Sequence, residues 1–250
     1  MKELEKKTTE FLDEINKDTF KILKIGNILP NLIRNFLIYK IASEISLEKK
    51  IYEIEIKKFY LKNKILNKKD LDNILKTKGI SEGELHYQIT LPLKISKFAK
   101  QNFREEIKSY FLERKDYLDE YTFNIIRVKN KDLAYELYFR IDSEESDFID
   151  LSESFSYYSD LYPKGLFGPK NLQGINPKIA NKLIIASVGE LILPFQVDEW
   201  WILLKLIGKK NAKFDEHTSN MLLKEIFNKF INNLVANFTA DYLKLETNDR

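Results

Sequence analysis

The stretch YPKGLFGPKNLQGINP, residues 162–177, carries an unusual share of the glycine and proline of this chain. The 250 residues include only eight glycines and six prolines, and three of each lie within this stretch. Glycine adopts backbone conformations with positive φ and proline fixes φ, so their clustering predicts a shaped loop. The segments on either side of the loop have the patterns of regular structure, and these patterns predict the fold class.

The chain before the loop is predicted to be helical as far as Leu118. Residues 28–45, ILPNLIRNFLIYKIASEI, place apolar side chains on one broad helical face, with Pro30 where the first turn of a helix tolerates proline. Pro92 is expected to kink or restart a later helix, because proline lacks the backbone donor of the helical ladder. Further helix boundaries are predicted at Asn67, Gly79 and Ser81, the last with Glu84 at capping-box spacing.

From Tyr121 onward β-branched and aromatic residues predict strands, and the order of elements is β-α-α-β-α-β-β followed by one final helix. This order predicts an α+β fold. A helical N-terminal module is completed by the C-terminal helix, and a small domain with a four-stranded, mostly antiparallel sheet is inserted between them. The apolar stripe of residues 214–238 is expected to pack on the N-terminal helices. The predicted boundaries are 1–118, 119–208 and 209–250.

The composition narrows the classes of function. The net charge is only +3 with both signs interleaved, which argues against a nucleic-acid partner. The absence of cysteine excludes disulfides and thiolate sites, and His86 and His217 have no partner at metal-ligand spacing, so we expect neither metal nor cofactor. No segment has the length of apolar sequence that a membrane span needs, and the charged start lacks the apolar core of a secretory signal. We therefore expect a cytoplasmic protein without a membrane span.

The region from Tyr121 to Leu206 resembles the parvulin family of peptidyl-prolyl cis-trans isomerases. Parvulins carry a Gly-Asp-Leu-Gly turn, a spacer, a helix and a strand with a Gly-Glu-x-x-x-Pro pattern. The matching positions are Gly165, Gly168, Pro177, Gly189, Glu190 and Pro194. The details are similar to a cyanobacterial branch. Segments 66–89 and 104–128 resemble the N-terminal helices and linker of bacterial chaperone-isomerases, in which a C-terminal helix also completes the N-terminal module.

The resemblance implies an apolar pocket for a prolyl ring at the edge of the sheet. Phe167, Ile175 and Ile179 fall where the family places its pocket-lining Leu, Met and Phe, and all three are apolar. The alternative for these residues is that they form core beneath the loop. Glu199, in the turn before the last strand, and Trp201 are the further substrate-binding candidates.

The resemblance also implies a polar catalytic cluster, and here the chain departs from the family. The two His positions and the Cys or Asp position of parvulins align with Asn124, Ile202 and Tyr158. The paired imidazoles are therefore missing. Asn124 and Tyr158 remain as candidate catalytic residues, with the Tyr158 hydroxyl as a hydrogen-bond donor to the twisting amide.

Three interpretations follow. The first is a folding factor, a weak prolyl isomerase and chaperone that acts on unfolded or proline-containing polypeptides. The second is a noncatalytic peptide-binding chaperone or adaptor with the same fold, which the missing histidines favour. The third is a helical scaffold with an embedded small domain, which would leave the spacing of the loop unexplained. The sequence leaves the oligomeric state and the client open.

Overall fold

A computed structural model of the chain describes residues 2–157 and 165–248, with side chains described as far as residue 242. The helices are α1 Lys2–Asp13, α2 Lys17–Ile25, α3 Leu29–Glu44, α4 Lys49–Lys62, α5 Lys68–Lys78, α6 Glu82–Asn102, α7 Glu106–Leu118, α8 Lys131–Asp142, α9 Phe148–Phe155, α10 Pro177–Ile185 and α11 Glu216–Asn248. The strands are β1 Glu120–Val128, β2 Leu166–Asn171, β3 Leu191–Val197 and β4 Trp200–Lys210. The predicted α+β class is confirmed.

The chain forms two compact units. One consists of Met1–Lys108 with Glu216–Arg250, and the other is Ser109–Asp215. We call them the helical unit and the sheet unit. Most of α7 falls in the sheet unit, although the sequence groups it with the preceding helices. The reason is tertiary packing, since the ring of Phe111 in α7 lies 5.2 Å from that of Phe214, just beyond β4.

In the helical unit, α11 packs on α3 and α6. The ring of Phe98 in α6 lies 5.9 Å from Phe227 and 6.3 Å from Phe230. On α3, Arg34 Nη2 donates to Asn228 Oδ1 at 3.0 Å. The predicted return of the last helix to the N-terminal helices is thus confirmed.

The predicted helix boundaries hold where side chains or glycine satisfy the helix ends. Asn67 begins α5 and Ser81 begins α6, each with a complete capping box, and Gly79 ends α5 in the left-handed conformation with φ of 63°. Hydrogen bonds from the backbone N–H and the hydroxyl of Ser81 lower the pKa of Glu84. These caps pair backbone groups that a helix end otherwise leaves without partners.

The sequence predicts that Pro92 kinks or restarts its helix, and the restart is not observed. Helix α6 continues from Glu82 to Asn102 with the proline inside. Proline removes one hydrogen bond of the ladder, and burial of Leu85 on one side and Ala99 on the other fixes both halves of the helix in place. Within the described parts of the chain, no helix is long and apolar enough to cross a membrane.

The sheet of the sheet unit has the order β2-β1-β4-β3, and all its pairings are antiparallel. Helix α10 covers one face, where Ile179 and Leu183 pack against Ile202 and Leu204 of β4. Helices α8 and α9 cover the other face, where Leu137 and Phe148 join a second cluster. Helices therefore cover both faces, and β1, β3 and β4 each contribute side chains to both clusters.

A buried carboxylate fixes the point where β1 begins. Asp119 is fully buried, and the Nζ of Lys115 lies 3.2 and 3.3 Å from its two oxygens. The backbone N–H of Ala212 donates to Asp119 Oδ1 at 2.8 Å, and the Nζ of Lys209 lies 3.7 Å from Oδ2. These contacts join the end of α7 to the segment that follows β4.

Two of the three glycines of the quoted stretch, Gly165 and Gly168, lie in close contact with neighbouring parts of the chain. Strand β2 lies inside this stretch and pairs with β1. Gly165 and Gly168 have φ of 61° and 98°, and a Cβ atom at Gly168 would overlap the carbonyl oxygen of Tyr121 in β1. Only glycine combines positive φ with such close contact to neighbouring backbone.

Candidate functional site

Several half-buried apolar side chains lie on the face of the sheet that carries α10. We call them the apolar patch, and they are Ile125, Phe167, Ile175, Phe195 and Trp200. All five pack against the same buried cluster. The ring of Phe167 stacks on that of Phe123 with centroids 4.9 Å apart. Because their outer surfaces stay accessible, these side chains offer apolar contact to a bound chain on a base fixed by the core.

A cationic rim borders the patch at Trp200. The ring of Tyr157 lies 4.5 Å from that of Trp200, and Lys129 Nζ lies 5.2 Å from the Trp200 centroid. The Tyr157 side chain is 62% exposed, while its backbone N–H donates to the carbonyl of Arg127 at 3.0 Å. The patch is therefore bordered by an amphipathic aromatic pair and a lysine ammonium.

Arg127 belongs to the same face of the sheet. In β1 it stands two residues after Ile125 and opposite Ile202 of β4, whose side chain faces α10. Successive residues of a strand point to opposite faces, so residues 123, 125 and 127 share this face. The guanidinium side chain is half-buried. It places a permanent positive charge on the face that carries the patch.

Two of the residues that the sequence predicts pack against the same buried cluster. Phe167 and Ile175 are both members of the apolar patch. Ile179 is only 5% exposed and Ile202 is fully buried, so these two support the patch from beneath. Tyr158 lies outside the described residues.

Asn124 and Trp201 lie on the other face of the sheet. Asn124 is 6% exposed and shares its side of β1 with Ile126 and Val128, which pack toward α8 and α9. The ring of Trp201 lies 6.1 Å from that of Tyr135 in α8. We therefore leave both residues out of the site. Glu199 is exposed in the turn that joins β3 to β4.

Sequence reasoning missed four residues of this face: Ile125, Arg127, Phe195 and Trp200. Two of them follow from one observation, since alternation from Phe123 places Ile125 and Arg127 on the same side of β1. Trp200 stands next to the candidate Trp201, and of two successive strand residues only one can face α10. The register of the β3–β4 hairpin, with Val197 opposite Trp200, settles which one.

The chemistry available at this face is apolar contact, desolvation and positive charge. Both histidines of the chain, His86 and His217, lie outside the sheet unit, and the chain has no cysteine. Residues 2–157 and 165–248 hold no group of three or more His, Cys, Asp or Glu side chains placed to bind a metal ion. The face is therefore equipped to bind a chain segment.

Comparison with known proteins places the fold. No protein-family model matches the sequence, and no curated protein matches it either. The solved structure of PrsA, a peptidylprolyl isomerase from Bacillus cereus, matches with a TM-score of 0.53 at 19% identity, over 92% of this chain and 87% of that one. PrsA from Bacillus anthracis matches with a TM-score of 0.48 at 19% identity, over 88% and 97% of the two chains.

A third neighbour, foldase protein PrsA from Streptococcus pneumoniae, has a TM-score of 0.46 at 16% identity and covers 89% of this chain and 88% of its own. The predicted resemblance to parvulin-type isomerases and chaperones is confirmed at the level of the fold. None of these neighbours is cyanobacterial, so that branch stays a prediction.

Proposed function

We propose that this chain is a protein-folding factor that binds unfolded or proline-containing polypeptides and accelerates prolyl isomerisation weakly. The observation that carries the proposal is the apolar patch, with Phe167 and Ile175 on the α10 face of the sheet and Trp200 at its rim. The similarity in fold to PrsA, a peptidylprolyl isomerase from Bacillus cereus, supports the same class of substrate.

The physical requirements of the reaction fit a site of this kind. Rotation about a peptide bond crosses a barrier of about 18–20 kcal/mol, because resonance gives the C–N bond partial double-bond character. No bond breaks, so a site accelerates the reaction by binding the twisted amide more tightly than the planar one. A twisted amide has lost resonance charge separation, and an apolar patch that excludes water favours it.

Weak catalysis follows from the polar groups of this face. The paired imidazoles of the family are missing, and Asn124 faces the other core. The positive charges of Arg127 and Lys129 are near the patch, and they bind a carbonyl oxygen or a carboxylate of the client. One oriented hydrogen bond contributes roughly 0.5–1.5 kcal/mol, so we expect acceleration about tenfold or more below a site with the full cluster.

The test measures binding and isomerisation together by NMR exchange on a panel of short X-Pro peptides. Phe167→Ala should weaken peptide binding about tenfold, because it removes about half of a buried phenyl contact. The matched control is Phe139→Ala, an exposed phenylalanine of α8 on the opposite side of the sheet. Ile175→Ala serves as a second variant if Phe167→Ala lowers stability too far for the measurement.

Two outcomes decide between the candidate functions. If peptide binding depends on Phe167 but exchange is not accelerated, the protein is a noncatalytic peptide-binding chaperone or adaptor. The absence of histidine from the sheet unit favours this second function. Equal binding by wild type and the Phe167 variant would refute the site. The cytoplasmic location stays a prediction, which cell fractionation tests.

A further inference from the structure

The helical unit contains an open groove between α4, α5 and α6. Its volume is about 450 Å³, and its lining comes from all three helices. The residues that line it are Glu55, Lys58, Phe59, Lys62, Lys78, Leu85, Gln88 and Ile89. A groove of this size accommodates several side chains of a bound polypeptide.

The floor of the groove is apolar and structurally fixed. Leu85 is 1% exposed and belongs to a cluster with Ile65 and Leu71, against which Phe59 and Ile89 pack. Phe59 and Ile89 are half-buried, so each has one side in the core and another toward the groove. The floor is therefore a surface that a ligand meets without unfolding the helices.

The rim of the groove is basic. Lys58, Lys62 and Lys78 are all exposed, and among the lining residues the one carboxylate is Glu55, whose Oε2 lies 3.5 Å from Lys58 Nζ. The surrounding segment, residues 49–78, has ten lysines and four acidic residues, whereas the whole chain has a net charge of only +3. Positive charge is thus concentrated in the segment that forms α4 and α5, two of the three helices that line the groove.

Apolar surface continues past the rim on α4. Ile54 and Leu61 flank Lys58 at spacings of four and three residues, which makes them its neighbours on the helix surface. Both side chains are exposed, Leu61 by 63%. Lysine and large apolar side chains alternate over this surface, which suits a ligand that is apolar and acidic at once.

We propose that this groove binds an acidic, apolar segment of a client polypeptide. The inference rests on the proposed function, because a polypeptide-binding role supplies the client. The lysine rim is complementary to aspartate and glutamate, and the floor of Phe59, Leu85 and Ile89 takes up apolar side chains. The recessed apolar floor favours this occupant over a flat anionic membrane or a nucleic acid, which the lysines alone would bind.

The experiment uses the full chain and a fluorescent peptide of about ten residues that alternates aspartate with leucine and contains no proline. The groove variant carries Lys58→Glu, Lys62→Glu and Lys78→Glu. The control carries Lys50→Glu, Lys57→Glu and Lys76→Glu, which make the same change of charge on α4 and α5 at exposed positions outside the groove. Anisotropy measures binding, and circular dichroism verifies that both variants are folded.

We expect the groove variant to bind the acidic peptide about tenfold more weakly than wild type, since three ion pairs become repulsive contacts. The control should change binding less than threefold, and a lysine–leucine peptide should bind poorly to wild type. Ile89→Ala should also weaken binding, because it removes part of the apolar floor. Equal losses in groove and control variants would mean general charge attraction and overturn the proposal.

Parallel measurements separate this inference from the proposed function. Prolyl-peptide binding and isomerisation should be unchanged in the groove variant. Groove-dependent binding of the acidic peptide together with no response to prolyl peptides would refute the isomerase proposal and leave the groove intact. If the protein binds prolyl peptides but not the acidic peptide, only the proposal for the groove is refuted. Groove-dependent binding of anionic vesicles or RNA, with no peptide binding, would also overturn it.

Discussion

Removal of the buried carboxylate of Asp119 should destabilise the sheet unit selectively. The carboxylate is fully buried, contacts the Nζ of Lys115 with both oxygens and accepts the backbone N–H of Ala212 at 2.8 Å. Breaking a buried ion pair from one side costs about 3–5 kcal/mol. Lys115 and Lys209 have side chains 35% and 25% exposed, so water partly replaces the lost partner. We therefore expect Asp119→Ala to cost about 3 kcal/mol, at the lower end of this range.

Asp119→Asn separates the charge from the hydrogen bond. Its amide oxygen still accepts the N–H of Ala212, so the penalty of about 1–3 kcal/mol for a buried donor without a partner is avoided. We expect the asparagine variant to cost about 1–2 kcal/mol, which is the contribution of the charge pairs alone. Asp116→Ala is the matched control, because Asp116 is exposed on α7. Its effect should stay within about 0.5 kcal/mol.

The assay is urea denaturation followed by tryptophan fluorescence. Trp200 and Trp201 are the two tryptophans of the chain, and both belong to the sheet unit, so the signal reports on that unit. Circular dichroism follows the helices in the same samples. A cost below about 1 kcal/mol for Asp119→Ala would contradict the assigned role of the network. A cost for Asp119→Asn equal to that of Asp119→Ala would show that the hydrogen bond to Ala212 contributes little.

Three further predictions test other parts of the structure. Gly168→Ala should lower the free energy of unfolding of the sheet unit by at least about 1–3 kcal/mol, because alanine is strained at φ of 98° and its Cβ overlaps β1. Thermal unfolding followed by tryptophan fluorescence measures this loss. Binding of a prolyl peptide should change the fluorescence of the Trp201→Phe variant, which retains Trp200 at the rim. It should leave the fluorescence of the Trp200→Phe variant, which retains Trp201, unchanged. The reverse result would place the ligand on the α8 face. Burial and the hydrogen bond to Asp13 raise the pKa of Tyr242, so its contribution to stability is present below about pH 10 and should fall as pH rises further. Tyr242→Phe should show a smaller alkaline loss of stability in urea titrations, and an identical loss in both proteins would refute this assignment.

The elements that sequence predicted well are those whose signals are local. The capping residues Asn67 and Ser81 start their helices, and Gly79 ends one of them in the left-handed conformation. Cap chemistry acts within a single turn, and the loop glycines mark the close approach of β2 to β1. Such signals do not depend on distant parts of the chain.

The face of the sheet to which each side chain of β1 points could not be predicted from the sequence in the same way. Phe123, Ile125 and Arg127 point to one face, while Asn124 and Ile126 point to the other. Both sets of side chains contain apolar and polar residues. Helices cover both faces of the sheet, so both sets include apolar side chains that are buried. Hydrophobic alternation identifies an outward face only when one side is solvated. Asn124, which aligns with a polar family position, therefore points away from the apolar patch.

The grouping of α7 was also a matter of tertiary contact. Its sequence is amphipathic like that of the preceding helices, and contacts such as those of Phe111 with Phe214 and of Tyr117 with Asn181 join it to the sheet unit. Both partners lie at least 64 residues further along the chain. Contacts between segments so far apart are set by the completed fold, which local patterns do not contain.

The split sequence of the helical unit has a consequence for its biosynthesis. Its first 108 residues leave the ribosome early, but α11 is made only after the whole of residues 109–215. Until then α3, whose Ile33 and Leu37 are fully buried in the finished protein, lacks one of the helices that pack on it. The sheet unit, continuous in sequence, has all its strands available first. In a nascent chain arrested before α11, we therefore expect a folded sheet unit and an incompletely packed helical unit. At this stage of synthesis the protein itself most needs a chaperone.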